Sequence, residues 1–214
     1  VYDRLLGQAK DKVILHWLGA MFDPALKGYW GADEFEPALE TVVSIIERNK
    51  SKVEGIKISL LDASCEIELR RRLPEGVLMF TGDDFNYPEL IAGDGSRHSH
   101  ALLGIFDAIA PVANVALAKL AAGDSAGYDA LMAPTVPLSR KIFAAPTEYY
   151  KAGVVFMAWL NGHQDHFVMV GGMQSARGIV HYAEIFRLAD HAGLLRDPDL
   201  AVSRMRSLLA TAGI

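Results

Sequence analysis

Lys57 is the residue whose type and position most clearly indicate covalent chemistry in this chain. It interrupts an otherwise apolar run at residues 53–61, and a strand alternates its side chains between two faces. Lys57 and Ser59 therefore share one face, whereas Ile56 and Ile58 share the other. A lysine removed from water has a lowered pKa, and its neutral amine can attack a carbonyl carbon to form a Schiff base. The alternative is an edge strand whose lysine simply reaches water.

Composition limits the classes of partner. The 214 residues carry 26 acidic and 21 basic side chains, for a formal net charge of −5, which argues against nucleic acid or an anionic membrane as a partner. No apolar run reaches the about 18 residues that span a bilayer. The single cysteine, Cys65, excludes an intrachain disulfide and fits a reducing compartment, so we predict a cytoplasmic protein. The chain begins at Val1 rather than methionine, which fits a truncated or processed sequence.

Two patterns of secondary structure divide the sequence. In the first part, short apolar runs alternate with helical patterns, as in βα units around a parallel sheet. Strands are predicted at 13–17, 55–60, 77–81 and 101–105. Helices are predicted at 36–49 and after Ser64, which we expect to cap the second of them. The later part is predicted to be helical, at 113–122, 126–143, 147–160, 175–192 and 199–212.

Four short motifs follow one another in the first part. They are Gly55-Ile56-Lys57, Arg71-Arg72-Leu73-Pro74, Phe80-Thr81-Gly82-Asp83-Asp84, and Leu103-Gly104-Ile105 with Pro111 after it. Their order resembles the second half of the dihydrodipicolinate synthase and N-acetylneuraminate lyase family. In that family a G-I/V-K strand carries the Schiff-base lysine on the sixth strand of a (β/α)8 barrel, and a G-D-D or G-x-D turn follows the seventh. The likeness extends over residues 13–160, and the unusual segment at 16–19 favours an uncharacterised branch.

This resemblance implies an α/β fold in which the four strands are the fifth to eighth of a (β/α)8 TIM barrel. Residues 1–111 would be the second half of the barrel, and 112–214 its last helix and a C-terminal helical extension. A complete barrel has eight strands and about 250 residues, so we expect its first half outside this sequence. The family's tyrosine proton relay and its carboxylate-binding turn would lie there.

The resemblance also implies a site at the C-terminal ends of the strands. Lys57 would form the Schiff base. His16 would act as a general acid or base, since an ordinary histidine titrates near neutral pH. The substrate-binding residues would be Ser59, Trp17, Gly82, Asp83, Asp84 and Gly104.

Several of these assignments have structural alternatives. His16 can be a satisfied core histidine, and Asp83 and Asp84 can cap the next helix and tie down its turn. The long aromatic loop at 20–35 is predicted to cover the barrel mouth as a lid, with Tyr29 or Trp30 as a wall, or to pack against a neighbouring subunit.

The predicted function is a class I aldolase-type lyase that acts on a 2-oxo acid such as pyruvate together with an aldehyde. Lys57 would condense with the ketone, and the protonated imine would serve as the electron sink for forming or breaking a C–C bond. Neither a metal nor an organic cofactor is required, and the resemblance implies a homo-oligomer. The first alternative is a non-catalytic barrel for ligand binding or assembly, favoured by departures from the family at His16, Trp17 and Ala108.

A metal-dependent TIM-barrel enzyme is the second alternative. Two histidine pairs could supply ligands, His98 with His100 and His163 with His166. No carboxylate-histidine signature surrounds either pair. We therefore predict no metal site.

Overall fold

The computed structural model describes all 214 residues. They form two compact units, Val1–Leu103 and Gly104–Ile214. The first unit contains every strand and the second is helical. The predicted boundary between residues 111 and 112 separates half of a barrel from its last helix and the helical extension. It stays a prediction.

A four-stranded parallel sheet in the order β1-β2-β3-β4 forms the centre of the first unit. Its strands are β1 (Val13–Leu18), β2 (Val53–Ser59), β3 (Leu78–Thr81) and β4 (His100–Ala101). The helices of this unit are α1 (Tyr2–Gln8), α2 (Phe35–Arg48), α3 (Ala63–Arg72) and α4 (Tyr87–Ala92). Parallel neighbours need crossover connections, and α2, α3 and α4 lie in the three crossovers. The predicted α/β class with a parallel sheet is confirmed.

One face of this sheet, which we call the helix face, is packed against α2 and α3. Alternate strand residues point to it and join a single cluster of buried side chains, among them Leu15, Trp17, Ile56, Ile58 and Met79. The apolar stripe of α2 completes the cluster, because Leu39, Val42, Val43 and Ile46 recur at helical spacing. Each such side chain stabilises the fold by about 1.5–3 kcal/mol when fully buried.

Two local predictions about the first unit are wrong. The cap of α3 is Asp62 rather than Ser64, since the Asp62 carboxylate accepts hydrogen bonds from the backbone N–H groups of Ser64 at 2.9 Å and Cys65 at 3.3 Å. The fourth strand contains only His100 and Ala101 instead of 101–105. A short apolar run does not distinguish a strand from the approach to a helix, and here the run leads directly into the next helix.

The second unit contains six α-helices. They are α5 (Phe106–Ala121), α6 (Ser125–Met132), α7 (Thr135–Ile142), α8 (Tyr150–Leu160), α9 (Ile179–His191) and α10 (Pro198–Ala210). The predicted helix at 126–143 is two helices, because Pro134 interrupts the backbone hydrogen bonding between them. Short 3-10 segments lie at Pro24–Leu26, Lys50–Lys52, Thr147–Tyr149 and Val170–Ala176. No helix of the chain has both the length and the apolar character needed to cross a membrane, and the cytoplasmic location stays a prediction.

Candidate active site on the open face of the sheet

The face of the sheet opposite the helices carries one continuous row of side chains, and we call it the open face. Strand pairing sets His16 beside Lys57, Lys57 beside Phe80, and Phe80 beside His100. Paired positions in a parallel sheet point to the same face. His16 and His100 are exposed, and Ile14 on the same face is 45 % exposed. The row is therefore accessible in this structure.

Lys57 is half-buried in the middle of the row. Desolvation by burial lowers the pKa of Lys57, and the negative charge of Asp84 opposes that shift. The Phe80 ring lies over Gly55: a Cβ atom added to this glycine would be 2.7 Å from Phe80 Cε2. A lysine with a lowered pKa carries more of the neutral amine that attacks carbonyl carbons, so the surroundings of Lys57 suit a nucleophile.

His16 and Ser59 form a hydrogen-bonded pair next to the lysine. The His16 Nε2 to Ser59 Oγ distance is 3.0 Å, and Ser59 is buried. Partial desolvation, and then the positive charge of Lys57, lower the pKa of His16 to about 4. The pKa of His16 thus lies below the neutral range expected from its residue type. At pH near 7 its imidazole is neutral, with one nitrogen that donates a hydrogen bond and one that accepts.

Gly82 brings the backbone after β3 into contact with the lysine. Its N–H donates to the backbone oxygen of Ile58 at 2.8 Å. A Cβ on Gly82 would lie 2.0 Å from Ser59 Oγ and 2.6 Å from Lys57 Cε. The same Cβ would lie 2.8 Å from the backbone oxygen of Ile58, which cannot rotate away as the side chains can, so a glycine allows the backbone to approach Lys57 this closely.

The two aspartates after Gly82 differ in their surroundings. The Asp83 carboxylate is buried and accepts hydrogen bonds from the backbone N–H groups of Phe85 and Asn86 and from Asn86 Nδ2, at 2.7, 2.9 and 2.9 Å. This geometry favours the structural alternative, in which Asp83 ties down the turn before α4. Asp84 is also buried, and its charge acts on Lys57.

Two other predicted site residues lie elsewhere. Trp17 is on the helix face, because neighbouring residues of a strand alternate, and it stacks on Phe35 at 5.5 Å between ring centroids. We therefore leave Trp17 out of the site. Gly104 belongs to the second unit. A Cβ atom added to Gly104 would lie 2.9 Å from Phe143 Cζ. Its contact with a substrate stays a prediction.

The aromatic loop at 20–35 does not form the predicted wall over the open face. Trp30 is buried, with its ring 5.9 Å from that of Trp17 on the helix face and 5.2 Å from that of Tyr2 in α1. Tyr29 forms a hydrogen bond with Tyr2 between their hydroxyl groups, at 3.0 Å. Contacts with α1 and the helix face thus hold Tyr29 and Trp30 away from the open face, whereas the role of the loop as a lid stays a prediction.

Sequence reasoning missed Phe80 and His100 as members of the row. Their rings lie 5.5 Å apart, and the His98 ring lies 4.9 Å from that of His100. The missing information was the pairing of β3 with β2 and of β4 with β3, which no local pattern encodes. No group of three or more His, Cys, Asp or Glu side chains in the chain is arranged to hold a metal ion.

The comparison with protein families matches residues 1–214 to a family described as "Protein of unknown function (DUF993)". The chain belongs to this family. No curated protein matches it. The description of this family names no activity, so the open face of the sheet provides the observations that bear on function.

Proposed function

We propose that this chain carries the Schiff-base half of a (β/α)8 class I aldolase-type lyase, in which Lys57 forms an imine with a 2-oxo acid such as pyruvate. One observation carries the proposal: a half-buried Lys57 with a lowered pKa lies on the open face, beside His16. The backbone of Gly82 limits the positions that the lysine stem can take. These are the features that a lysine nucleophile needs.

The order of the strands supports a barrel. Four parallel strands follow one another in sequence order with helices on one face, whereas a doubly wound sheet reverses its order. In a barrel the face opposite the helices is the interior, and active sites lie at the C-terminal ends of the strands. His16, Lys57 and Ser59 lie near those ends. A closed barrel would need four more strands, from a further part of the chain or from a second chain.

The proposed reaction begins with the neutral amine of Lys57. Its Nζ attacks the ketone carbon of the 2-oxo acid, the carbonyl oxygen leaves as water, and a protonated imine remains. The imine withdraws electrons from the adjacent carbon, which loses a proton to give an enamine. The enamine carbon then attacks an aldehyde to form a C–C bond, and water hydrolyses the resulting imine to release the product and the free Lys57 amine; the reverse sequence cleaves a C–C bond.

His16 and Ser59 would carry the proton transfers. The neutral imidazole would accept a proton through the Ser59 hydroxyl, which is within hydrogen-bond distance of it, and the imidazolium so formed would return the proton in a later step. The same hydroxyl is placed to bind a substrate hydroxyl or carboxylate, since Ser59 follows Lys57 by two residues on the same strand. This arrangement needs neither a metal nor an organic cofactor.

Borohydride trapping tests the proposal. The full-length protein is incubated with pyruvate and other 2-oxo acids, reduced, digested and analysed by mass spectrometry. We expect an adduct on the peptide that contains Lys57, with the remaining lysines as internal controls, and its loss in Lys57→Arg. Absence of an adduct with every 2-oxo acid, in protein shown to be folded, would refute the proposal and favour a non-catalytic ligand-binding barrel.

A further inference from the structure

A buried carboxyl group lies behind the candidate site, on the helix face of β3. Glu66 of α3 is 1 % exposed. Its Oε2 accepts a hydrogen bond from Thr81 Oγ1 at 2.9 Å, and its Oε1 has no hydrogen-bond partner. Burying a carboxyl group with one oxygen unpartnered is costly. The proposed chemistry on the open face does not use this group, so its presence needs another explanation.

Thr81 connects Glu66 to the turn that follows β3. The Thr81 hydroxyl donates a hydrogen bond to Glu66, and its oxygen accepts a hydrogen bond from the backbone N–H of Asp83 at 3.1 Å. A hydroxyl that donates to a carboxylate is polarised and becomes a better acceptor. Two consecutive hydrogen bonds therefore link the ionisable group to the backbone of Asp83.

The same turn contacts Lys57. Gly82 precedes Asp83 directly, and the space beside its Cα is filled by Lys57 Cε and Ser59 Oγ. The Gly82 N–H is held by the backbone oxygen of Ile58 in β2. A shift of this turn by a few tenths of an ångström would therefore move the lysine stem or the Ser59 hydroxyl.

The groups around Glu66 come from each element packed against it. Burial raises the pKa of Glu66 to about 7, while the neighbouring hydroxyl groups of Ser99 and Thr81 oppose the shift. Of the nearby charges, Asp83 raises this pKa and Arg70 lowers it. The Arg70 guanidinium also donates hydrogen bonds to the backbone oxygen of Leu90 in α4 and to the Asp94 carboxylate in the loop after it, so Glu66 is only one of the acceptor groups near this charge.

We propose that Glu66 is a positioning residue for Lys57, acting through Thr81 on the turn formed by Gly82 and Asp83. The functional consequence rests on the imine chemistry proposed above, whereas the structural step does not. Because Glu66 changes its charge near neutral pH, its ionisation would alter how firmly the turn holds the lysine.

NMR of the folded full-length protein tests the structural step by following the Asp83 backbone amide against pH. We expect it to titrate with a midpoint of about 7 and to lose this titration in Glu66→Gln and in Thr81→Val. Thr81→Ser keeps the hydroxyl and should restore the titration. Glu68→Gln, on the same helix, is the matched control and should leave it unchanged. An Asp83 amide that titrates identically in Glu66→Gln overturns the proposal.

The rate of borohydride trapping at Lys57 tests the functional consequence. We expect Glu66→Gln and Thr81→Val to lower this rate about tenfold at neutral pH and to remove an inflection near 7, since small misplacements of reacting groups are costly. Thr81→Ser and Glu68→Gln should stay within about twofold of wild type. Equal pH profiles in all variants overturn the positioning role. A wild-type protein whose Asp83 amide titrates but whose Lys57 forms no adduct refutes the lyase and supports only the structural step, from Glu66 through Thr81 to the turn.

Discussion

Replacing Glu66 by glutamine is expected to change the pH dependence of stability in the first unit. Burial raises the pKa of Glu66 from its ordinary value of 4.5 to about 7. The folded protein therefore holds this proton more tightly than the unfolded chain does. The resulting stabilisation is fully present below pH of about 4.5 and is lost as the pH rises through about 7.

The size of the effect follows from the same shift. At about 1.4 kcal/mol per pKa unit, the change from 4.5 to about 7 corresponds to about 3 kcal/mol. A typical domain has a free energy of unfolding of about 5–15 kcal/mol, so the loss is measurable. Glutamine has nearly the same shape and no charge, and Glu66→Gln should abolish this contribution to the pH dependence.

Urea unfolding at about pH 5 and about pH 8 measures the difference. Because the chain forms two units, the probe must report on the first. A Trp159→Phe background leaves Trp17 and Trp30, which both lie in the first unit, as the fluorescent residues. Glu68→Gln serves as the control. Parallel pH dependence in Glu66→Gln and in the wild type would show that Glu66 is already ionised at little cost, and the reasoning would fail.

Three further predictions concern the open face. Gly82→Ala should lower trapping at Lys57 about tenfold and destabilise the protein by about 1–3 kcal/mol, because its Cβ would overlap Ser59 Oγ. Gly7→Ala is the control, since nothing lies within 4 Å of its new Cβ. Equal losses in both variants would contradict the steric argument. Ser59→Ala should reduce kcat/KM with 2-oxo acids, since it removes the hydrogen-bond partner of His16; retention of full kcat/KM would exclude a role for the hydroxyl. As the pH is raised, the trapping rate should level off at a pH below the ordinary lysine pKa of 10.5. Asp84→Asn should move that inflection to lower pH, because Asp84 raises the pKa of Lys57. An inflection that stays in place would rule out this electrostatic link.

The residues that sequence reasoning placed correctly depended on local rules. The two-residue repeat of β2 put Lys57 and Ser59 on one face, and the helical spacing at 36–49 predicted α2. The same alternation rule puts Trp17 and His16 on opposite faces of β1. The two residues could therefore not both belong to a site on one face. The resemblance to the lyase family supplied that assignment without testing it against the geometry of the strand.

The remaining features depended on contacts distant in sequence. The position of Phe80 and His100 in the row requires the register of β2, β3 and β4, and the direction of the aromatic loop requires the packing of Trp30 on Tyr2. Desolvation of His16 depends on its neighbours in the fold, so its lowered pKa was not predictable from its residue type.

One strand register aligns the four residues of the row, His16, Lys57, Phe80 and His100. The row is therefore more sensitive to insertions and deletions within the strands than to substitutions there. One residue inserted into or deleted from β2 ahead of Lys57 would turn the cation towards the apolar helix face and bring an isoleucine to the open face. Substitutions within the row would change reactivity while keeping the framework. We therefore expect the row to tolerate changes of residue type within the strands, and changes of length only in the loops between them.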